Sequence, residues 1–171
     1  PERGEPGAES WPAEALATGS GVHNWSELTV DEARGIVFIP TGTARYDFYG
    51  GNRPGANLYA NSVLALDAKT GKRKWHFQTV NHDLWDYDVA SPPLLTTIVR
   101  DGKKIDVVLQ TTKTGQLFVL DRATGKPVFP VEERNVPKSN VVAERASPTQ
   151  PFNTVIPALS PQKFAMDSIF G

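Results

Sequence analysis

Eight consecutive residues, 81–88, carry the side chains of this sequence that are best suited to proton transfer. They include three aspartates, one histidine and two large aromatics, and they lie between an apolar run typical of a β-strand and the breaker Ser91-Pro92-Pro93. The segment is therefore predicted to be a loop. A carboxylate held beside aromatic walls loses hydration, which raises its pKa and suits it to act as a base. The alternative interpretation is a solvated acidic turn.

A strand–turn–strand pattern occurs twice and predicts the scaffold that positions this loop. The copies span residues 65–75 and 119–129, and each has an apolar run, then Asp-x-x-Thr-Gly-Lys, then an aromatic four residues after the glycine. Asp can accept hydrogen bonds within its own turn and Gly allows a positive φ, so both copies predict β-hairpins. Two further hairpins are predicted, with turns at 31–35 and 101–102.

The four hairpins give two consecutive four-stranded antiparallel units, approximately residues 26–80 and 92–130. A four-stranded unit that repeats along a chain predicts a β-propeller, so the expected fold class is all-β with about two complete blades. The whole chain, 1–171, is expected to be one partial propeller domain with irregular flanks at 1–25 and 131–171. Fourteen glycines and fourteen prolines agree with a protein rich in turns.

The strand order sorts the loops onto two faces of the predicted blades. In a meander, the first and third turns of each unit share one face, whereas the middle connection and the crossing to the next unit share the other. The plain turns at 31–35, 67–71, 101–102 and 121–125 should therefore lie on one face. The opposite rim, where propellers place functional residues, should receive 41–60, 81–93, 111–115 and the approach around Trp25.

Composition excludes several classes of function. The 171 residues carry a formal net charge of -1, which gives no sign of a nucleic-acid or anionic-membrane partner. No apolar run approaches the ~20 residues of a membrane span. The absence of cysteine excludes disulfides and thiolate metal sites in this chain. The abrupt beginning at Pro1-Glu2-Arg3 indicates the interior of a longer protein, so any targeting segment is expected elsewhere.

The first copy of the repeat resembles the tryptophan-docking motif of the PQQ-dependent quinoprotein dehydrogenases, in which eight four-stranded blades form the propeller. The second copy departs from that motif, with Phe129 where Trp is usual and Val119 where Ala is usual. Five further segments resemble the family in order and spacing: Asn24-Trp25-Ser26, Pro40-Thr41-Gly42-Thr43, Tyr49-Gly50-Gly51-Asn52-Arg53-Pro54-Gly55, His82-Asp83-Leu84-Trp85-Asp86 and Thr112-Lys113-Thr114-Gly115.

The resemblance covers approximately residues 10–155. It is closest to the membrane-bound glucose, quinate and shikimate branch, because of Phe77-Gln78-Thr79-Val80 and Pro148-Thr149-Gln150-Pro151-Phe152.

The resemblance implies roles for four residues. Asp86 would be the catalytic base, and Lys113 would stabilise the negative charge that develops on the quinone oxygens. Trp25 would be the aromatic floor beneath the planar cofactor, and Thr43 would supply an oxygen ligand to Ca²⁺ or Mg²⁺ where methanol-oxidising relatives have Asn. The other interpretations are an aspartate bonded to local amides, a solvated turn lysine and a blade-docking tryptophan.

The remaining polar and aromatic residues of the acidic loop, residues 81–88, are expected to support it. Asp83 and Asp88 would accept loop amides, His82 would orient the loop rather than bind metal, and Trp85 would wall it.

The resemblance implies a fragment, inactive alone, of a periplasmic dehydrogenase that is attached to the inner membrane through a segment absent here. It would oxidise a sugar or cyclic polyol hydroxyl by hydride transfer to PQQ, with electrons passed to a membrane quinone. Two alternatives remain: a non-enzymatic propeller scaffold of the outer-membrane assembly lipoprotein type, and a PQQ-dependent alcohol dehydrogenase. The acidic loop and Lys113 argue against the scaffold, and Thr43 in place of Asn argues against the alcohol dehydrogenase.

Overall fold

The computed structural model describes residues 2–17 and 21–163 and consists mostly of antiparallel strands. Two short helices come first, a 3₁₀ helix at Ala8–Ser10 and α1 at Ala13–Ala17. No helix in these ranges is long and apolar enough to cross a membrane. The strands that follow are β1 Thr29–Asp31, β2 Ile36–Pro40, β3 Ser62–Asp67, β4 Arg73–Gln78, β5 Leu94–Arg100, β6 Lys103–Thr111, β7 Leu117–Asp121, β8 Val131–Asn135 and β9 Thr149–Asn153. The all-β fold class is confirmed.

The first sheet, β1–β4, is the four-stranded antiparallel unit that the sequence predicts for residues 26–80. β2 alternates buried and half-buried positions, as expected of a strand with one face on the core. Phe38 of β2 pairs with Ala65 of β3, and Ala65 pairs in turn with Trp75 of β4. Three neighbouring strands therefore place apolar side chains in one row.

The two hairpin turns of the repeat are built alike. Asp67 accepts the backbone amide and the hydroxyl of Thr70 through one carboxylate oxygen, and Gly71 has φ of 69°. Asp121 makes the same bonds to Thr124. The Asp-x-x-Thr-Gly pattern thus specifies the turn through side-chain acceptors and a left-handed glycine.

The second unit, residues 92–130, has three strands where the sequence predicts four. In place of the fourth strand, an isolated bridge joins Leu120 to Pro127. The segment that would form this strand begins with Pro127 and ends at Pro130, and neither proline has an N–H to donate to a ladder. The Phe-Pro sequence therefore ends the blade where the first unit continues through the whole of β4.

The prediction of an irregular flank at 131–171 was wrong for its first part. β8 and β9 form a two-stranded hairpin, with register from Val131 opposite Asn153 to Asn135 opposite Thr149. The connection between them, 136–148, is too long to carry a short turn signature. The proline within β9 further weakens the strand pattern in the sequence.

The main core lies between the first two sheets. Its buried members are Ile36, Phe38, Val63, Ala65, Trp75, Val108, Phe118 and Leu120. Trp75 links the sheets directly, because its indole N–H donates to the Arg122 carbonyl at 3.2 Å. The ring also lies over Gly125, where an added Cβ would come within 2.5 Å of it. The repeat tryptophan therefore docks one sheet on the turn of the next.

The turns meet on one face, as the strand order predicts. The Ala68 amide donates to the Gly35 carbonyl at 2.9 Å, so the turns 31–35 and 67–71 are adjacent. Arg122 of the following sheet reaches Asp31 at 3.2 Å. The loops that carry the acidic segment and Lys113 lie at the other ends of the strands.

Candidate active site

Lys113 joins three separate segments of the chain at the rim. Its ammonium donates to Asp86 Oδ2 at 3.1 Å and to Asp88 Oδ2 at 2.7 Å. It also lies 5.8 Å from the centroid of the Trp25 ring. The structure thus brings Trp25, Asp86 and Lys113 together despite their separation in sequence.

The Lys113 loop is a tight turn between β6 and β7. The Gly115 amide donates to the Thr112 carbonyl at 3.0 Å, and the Thr112 amide donates to the Gln116 carbonyl at 3.1 Å. Gly115 has φ of 75°, a conformation that costs glycine little. A short closed turn on two strands holds the base of the lysine side chain firmly, so its ammonium is directed at the carboxylates.

Asp83 is the anchor of the acidic loop. It is buried, and it accepts the amides of Trp85 at 2.9 Å and Tyr87 at 2.6 Å. Its second oxygen also accepts hydrogen bonds from the Thr43 hydroxyl and the Asn61 amide group. These contacts give Asp83 the structural role that the sequence predicts.

Asp86 lies on the loop that Asp83 organises, in a left-handed conformation with φ of 58°. Its carboxylate is about one-third exposed, at 31 %. The side chain is thus open to a small molecule and at the same time in contact with a cation. His82 is buried and places its Nδ1 at 3.0 Å from Asn57 Oδ1, which agrees with an orienting role.

Asp88 contacts Lys113 as well as the loop backbone, which the sequence does not predict. It accepts the Thr43 amide at 2.7 Å, which matches the expected structural role, but it is also the nearer of the two carboxylates to Lys113. The presence of a second aspartate two residues after Asp86 in the same short loop was an available signal. Asn61, which precedes β3 and donates a hydrogen bond to Asp83, has no such signal in the sequence.

The environment separates the pKa values of the two carboxyls. Burial raises the pKa of Asp86, Lys113 opposes this, and the neighbouring Asp88 adds to the rise, so the pKa lies above its usual value. Burial would also raise the pKa of Asp88, but the hydrogen bonds from Lys113 and the Thr43 amide outweigh it and hold the pKa below its usual value. Asp86 is therefore the better proton acceptor of the pair.

The residues present fit a planar, anionic cofactor. Trp25 is 55 % exposed, so a flat aromatic face is available beside the Lys113 ammonium. A conjugated ring system can stack on such a face, and negative charge on its oxygens can pair with the cation.

A metal centre has less support among the residues described. Thr43 is fully buried, and its hydroxyl donates to Asp83 and accepts from Asn61. Ranges 2–17 and 21–163 contain no cluster of three or more His, Cys, Asp or Glu that could hold an ion. The metal role of Thr43 stays a prediction.

Relatives with known names are similar to this chain over most of its length. It is 45 % identical to the glycerol dehydrogenase large subunit of Gluconobacter oxydans, over 80 % of the chain and 19 % of that protein. It is 42 % identical to the quinoprotein glucose dehydrogenase of Escherichia coli, over 77 % of the chain and 17 % of that protein. It is 39 % identical to the quinate/shikimate dehydrogenase (quinone) of Acinetobacter baylyi, over 89 % of the chain and 19 % of that protein. The chain thus spans about a fifth of the length of these relatives.

Solved structures give the same answer for the fold. The quinohemoprotein alcohol dehydrogenase of Comamonas testosteroni aligns with a TM-score of 0.68 at 31 % identity, over 87 % of this chain and 22 % of that one. A europium-containing methanol dehydrogenase aligns with a TM-score of 0.66 at 26 % identity, and the alignment covers 88 % of this chain and 26 % of that one.

The full length, residues 1–171, matches the family described as "PQQ: Glucose/ethanol/alcohol dehydrogenase, beta-propeller domain". Together with the antiparallel sheets and the docked tryptophan, this match shows that the chain belongs to the PQQ-dependent glucose/ethanol/alcohol dehydrogenase family and forms part of its β-propeller domain.

Proposed function

We propose that this chain is the part of a quinoprotein dehydrogenase that carries the catalytic base and one side of the PQQ site. The observation that carries the proposal is the Lys113 ammonium, shared between Asp86 and Asp88 beside the exposed face of Trp25. A base of raised pKa can accept the hydroxyl proton, a cation can stabilise negative charge on the quinone, and an exposed aromatic face can stack on its ring.

The reaction is the oxidation of a hydroxyl to a carbonyl. PQQ, when bound, supplies the acceptor for the hydride that leaves the alcohol carbon. Asp86 accepts the hydroxyl proton as the C–H bond breaks, so that the electrons of the O–H bond form the carbonyl. Lys113 would stabilise negative charge on a quinone oxygen, and Trp25 would orient the plane of the ring. Thr43 is the residue of this chain that would offer an oxygen ligand to Ca²⁺ or Mg²⁺.

The proposed substrate is a sugar or cyclic polyol, and the proposed electron acceptor is a membrane quinone. Support comes from relatives named as glycerol, glucose and quinate/shikimate dehydrogenases, each at 39 % identity or more. The proposed location is the periplasmic side of the inner membrane. A PQQ-dependent alcohol dehydrogenase is the second candidate, favoured by the alignment with the quinohemoprotein alcohol dehydrogenase structure.

The function is tested with Asp86→Asn in the full-length protein that contains this segment. Asn keeps the size of the side chain and tolerates the left-handed backbone, but it cannot accept the proton. Turnover should fall by about 10²–10⁴-fold with PQQ still bound. The protein is reconstituted with PQQ and Ca²⁺ or Mg²⁺, and dye reduction is followed with glucose, glycerol, quinate and ethanol.

Asp101→Asn is the matched control, because this aspartate is 90 % exposed in a left-handed turn on the opposite face. It should retain wild-type turnover. Wild-type turnover by Asp86→Asn at saturating PQQ would remove Asp86 from the mechanism, and absence of PQQ-dependent activity with all four substrates would remove the proposed function.

Lys113 gives a second prediction, which is measured through cofactor affinity. Lys113→Met removes the cation and keeps much of the side-chain length, so PQQ should bind at least about tenfold more weakly if one charge-assisted contact is lost. Titration of the apoprotein with PQQ, followed by quenching of tryptophan fluorescence, measures this. Lys104→Met, in the hairpin on the far face, serves as the control. Equal affinity in the two variants would show that Lys113 does not contact PQQ.

A further inference from the structure

Arg53 is fully buried, although it lies in the rim loop, residues 41–60. This loop is rich in Gly and Pro, and its sequence gives no reason to expect burial. Among the residues described, no carboxylate forms an ion pair with its guanidinium within 4.0 Å. Burial lowers the pKa of Arg53, but a guanidinium keeps its proton under ordinary conditions. A buried, unpaired cation is costly, so the contacts it makes instead need an explanation.

The guanidinium binds two loops at once. One nitrogen donates to the carbonyl of Tyr46 at 3.2 Å and to the carbonyl of Asp83 at 2.7 Å. The other terminal nitrogen donates to Asn57 Oδ1 at 2.9 Å, and the same oxygen lies 3.0 Å from His82 Nδ1. Arg53 therefore ties the acidic loop to the rim loop beside it through a rigid planar group.

The acidic loop needs such an attachment. His82 and Asp86 both have positive φ, at 45° and 58°, which non-glycine residues rarely adopt unless their surroundings hold them. Asp83 lies between them and fixes the loop through its carboxylate, while Arg53 holds its carbonyl. These contacts are made within the chain itself, so they do not depend on which other segments surround the rim.

We propose that Arg53 is a positioning residue for Asp86: its buried guanidinium fixes the acidic loop through the Asp83 carbonyl and so sets the distance from Asp86 to Lys113. The role rests on the proposed function, since the positioned group is the proposed base. It is distinct from contact with cofactor or substrate, which Arg53 cannot reach from its buried position.

The test compares Arg53→Met, Arg53→Lys and the control Arg45→Met in the full-length protein. Arg45 is exposed in the same loop and lies over the Tyr46 ring. The first measurement is amide hydrogen exchange over residues 82–88 in the PQQ-free protein. The second is kcat, KM and the pH profile after reconstitution with PQQ. Exchange reports loop order without any requirement for activity.

Arg53→Met should speed exchange in 82–88 and lower kcat by up to about 10²-fold, the effect of a displacement of about 1 Å. PQQ affinity and KM should stay near wild type, and the acid limb of the pH profile should move because the contact of Asp86 with Lys113 changes. Arg53→Lys should be intermediate, since an ammonium keeps the charge but lacks the planar fork. Arg45→Met should match wild type in both measurements.

Wild-type kcat in a folded Arg53→Met would overturn the inference, and so would unchanged exchange in 82–88. If Arg53→Met does not fold, Arg53→Lys decides in the same way. Loss of the fold in both variants would make Arg53 a residue of folding alone and would also overturn the inference. If wild-type protein shows no PQQ-dependent activity, the proposed function fails, while the exchange result still decides whether Arg53 holds the loop.

Discussion

Lys113 couples the two carboxylates of the site, because its ammonium donates to both. Asp88 is buried and keeps its charge through the lysine and the Thr43 amide, whereas Asp86 is more open and has its pKa raised. Carboxyls that share a cation titrate as a pair, and the environment decides which one takes the proton first. The assignment of Asp86 as the base therefore depends on Asp88 remaining charged beside it.

This coupling gives a prediction about pH. Asp88→Asn removes a negative neighbour that raises the pKa of Asp86, and it leaves Lys113 to pair with Asp86 alone. Both changes favour the ionised base, so the acid limb of kcat/KM should move to lower pH. The pH profile of the PQQ-reconstituted full-length protein measures this. An acid limb that stays in place or moves to higher pH would show that Asp88 does not set the pKa of the base.

The β8–β9 hairpin supports the acidic loop from outside the two larger sheets. Gln150 of β9 makes a reciprocal pair with the backbone of Asn81, in which its Oε1 accepts the amide and its Nε2 donates to the carbonyl, each at 2.7 Å. The Asn81 side chain also reaches Glu133 of β8 at 3.1 Å. The first residue of the loop is thus held by both strands of the hairpin.

The hydrogen bonds between Gln150 and Asn81 provide a test of whether the hairpin orders the acidic loop. Gln150→Ala removes two hydrogen bonds that are worth about 0.5–1.5 kcal/mol each, so amide exchange at Asn81 and through the acidic loop should become faster. Gln150→Glu keeps the acceptor and loses the donor, and it should give an intermediate effect. Hydrogen exchange of the segment 79–89 in the full-length protein measures both. Identical exchange in Gln150→Ala and wild type would show that the hairpin does not order the loop.

Elements with local signals were predictable from sequence, and those defined by distant contacts were not. The hairpin turns follow from Asp67 and Asp121 with their glycines, because the turn's hydrogen bonds lie within five residues. The β8–β9 hairpin was missed because its strands are joined by the long connection 136–148. The shortened second unit was missed because the repeat pattern outweighed the effect of Pro127.

The same distinction holds for the candidate site. Trp25, Asp86 and Lys113 could be placed on one rim because strand order alone assigns loops to faces. The burial of Arg53 and the bond from Asn61 to Asp83 could not be predicted, since both depend on how three loops pack against one another. A sequence pattern carries residue types and spacing, but it does not carry those long-range hydrogen bonds.

At the scale of the whole molecule, the two larger sheets are joined by a core and by an ion-pair network on the turn face. Asp31 of β1 is buried and accepts from Arg34 at 2.9 Å and from Arg122 of the second sheet at 3.2 Å. Arg34 also pairs with Asp106 of β6. The network crosses from one sheet to the next at the end opposite the candidate site, so it bears on the assembly of the sheets rather than on catalysis.

Asp31 therefore provides a stability test that is separate from activity. Burial alone would raise the pKa of Asp31, but the hydrogen bonds from Arg34 and Arg122 outweigh it and hold the pKa below its usual value. A carboxyl with a depressed folded-state pKa stabilises the fold above its unfolded pKa, about 3.9, and this contribution is lost as pH falls through the lower folded value. Asp31→Asn should lower the free energy of unfolding at pH 7 by about 1–3 kcal/mol, because Arg122 loses its charged partner.

The difference between Asp31→Asn and wild type should begin to shrink as pH falls below about 4, where the carboxyl of the unfolded wild-type chain takes up its proton, and should disappear as pH falls through the lower folded-state pKa. Urea unfolding of the full-length protein at several pH values measures it. The exposed Asp101→Asn is the control and should stay within about 0.5 kcal/mol of wild type throughout. A difference that is constant with pH would mean that the Asp31→Asn substitution disturbs packing rather than charge, because a purely steric defect does not titrate. The ion pairs of Asp31 with Arg34 and Arg122 would then contribute nothing measurable to the joining of the two sheets.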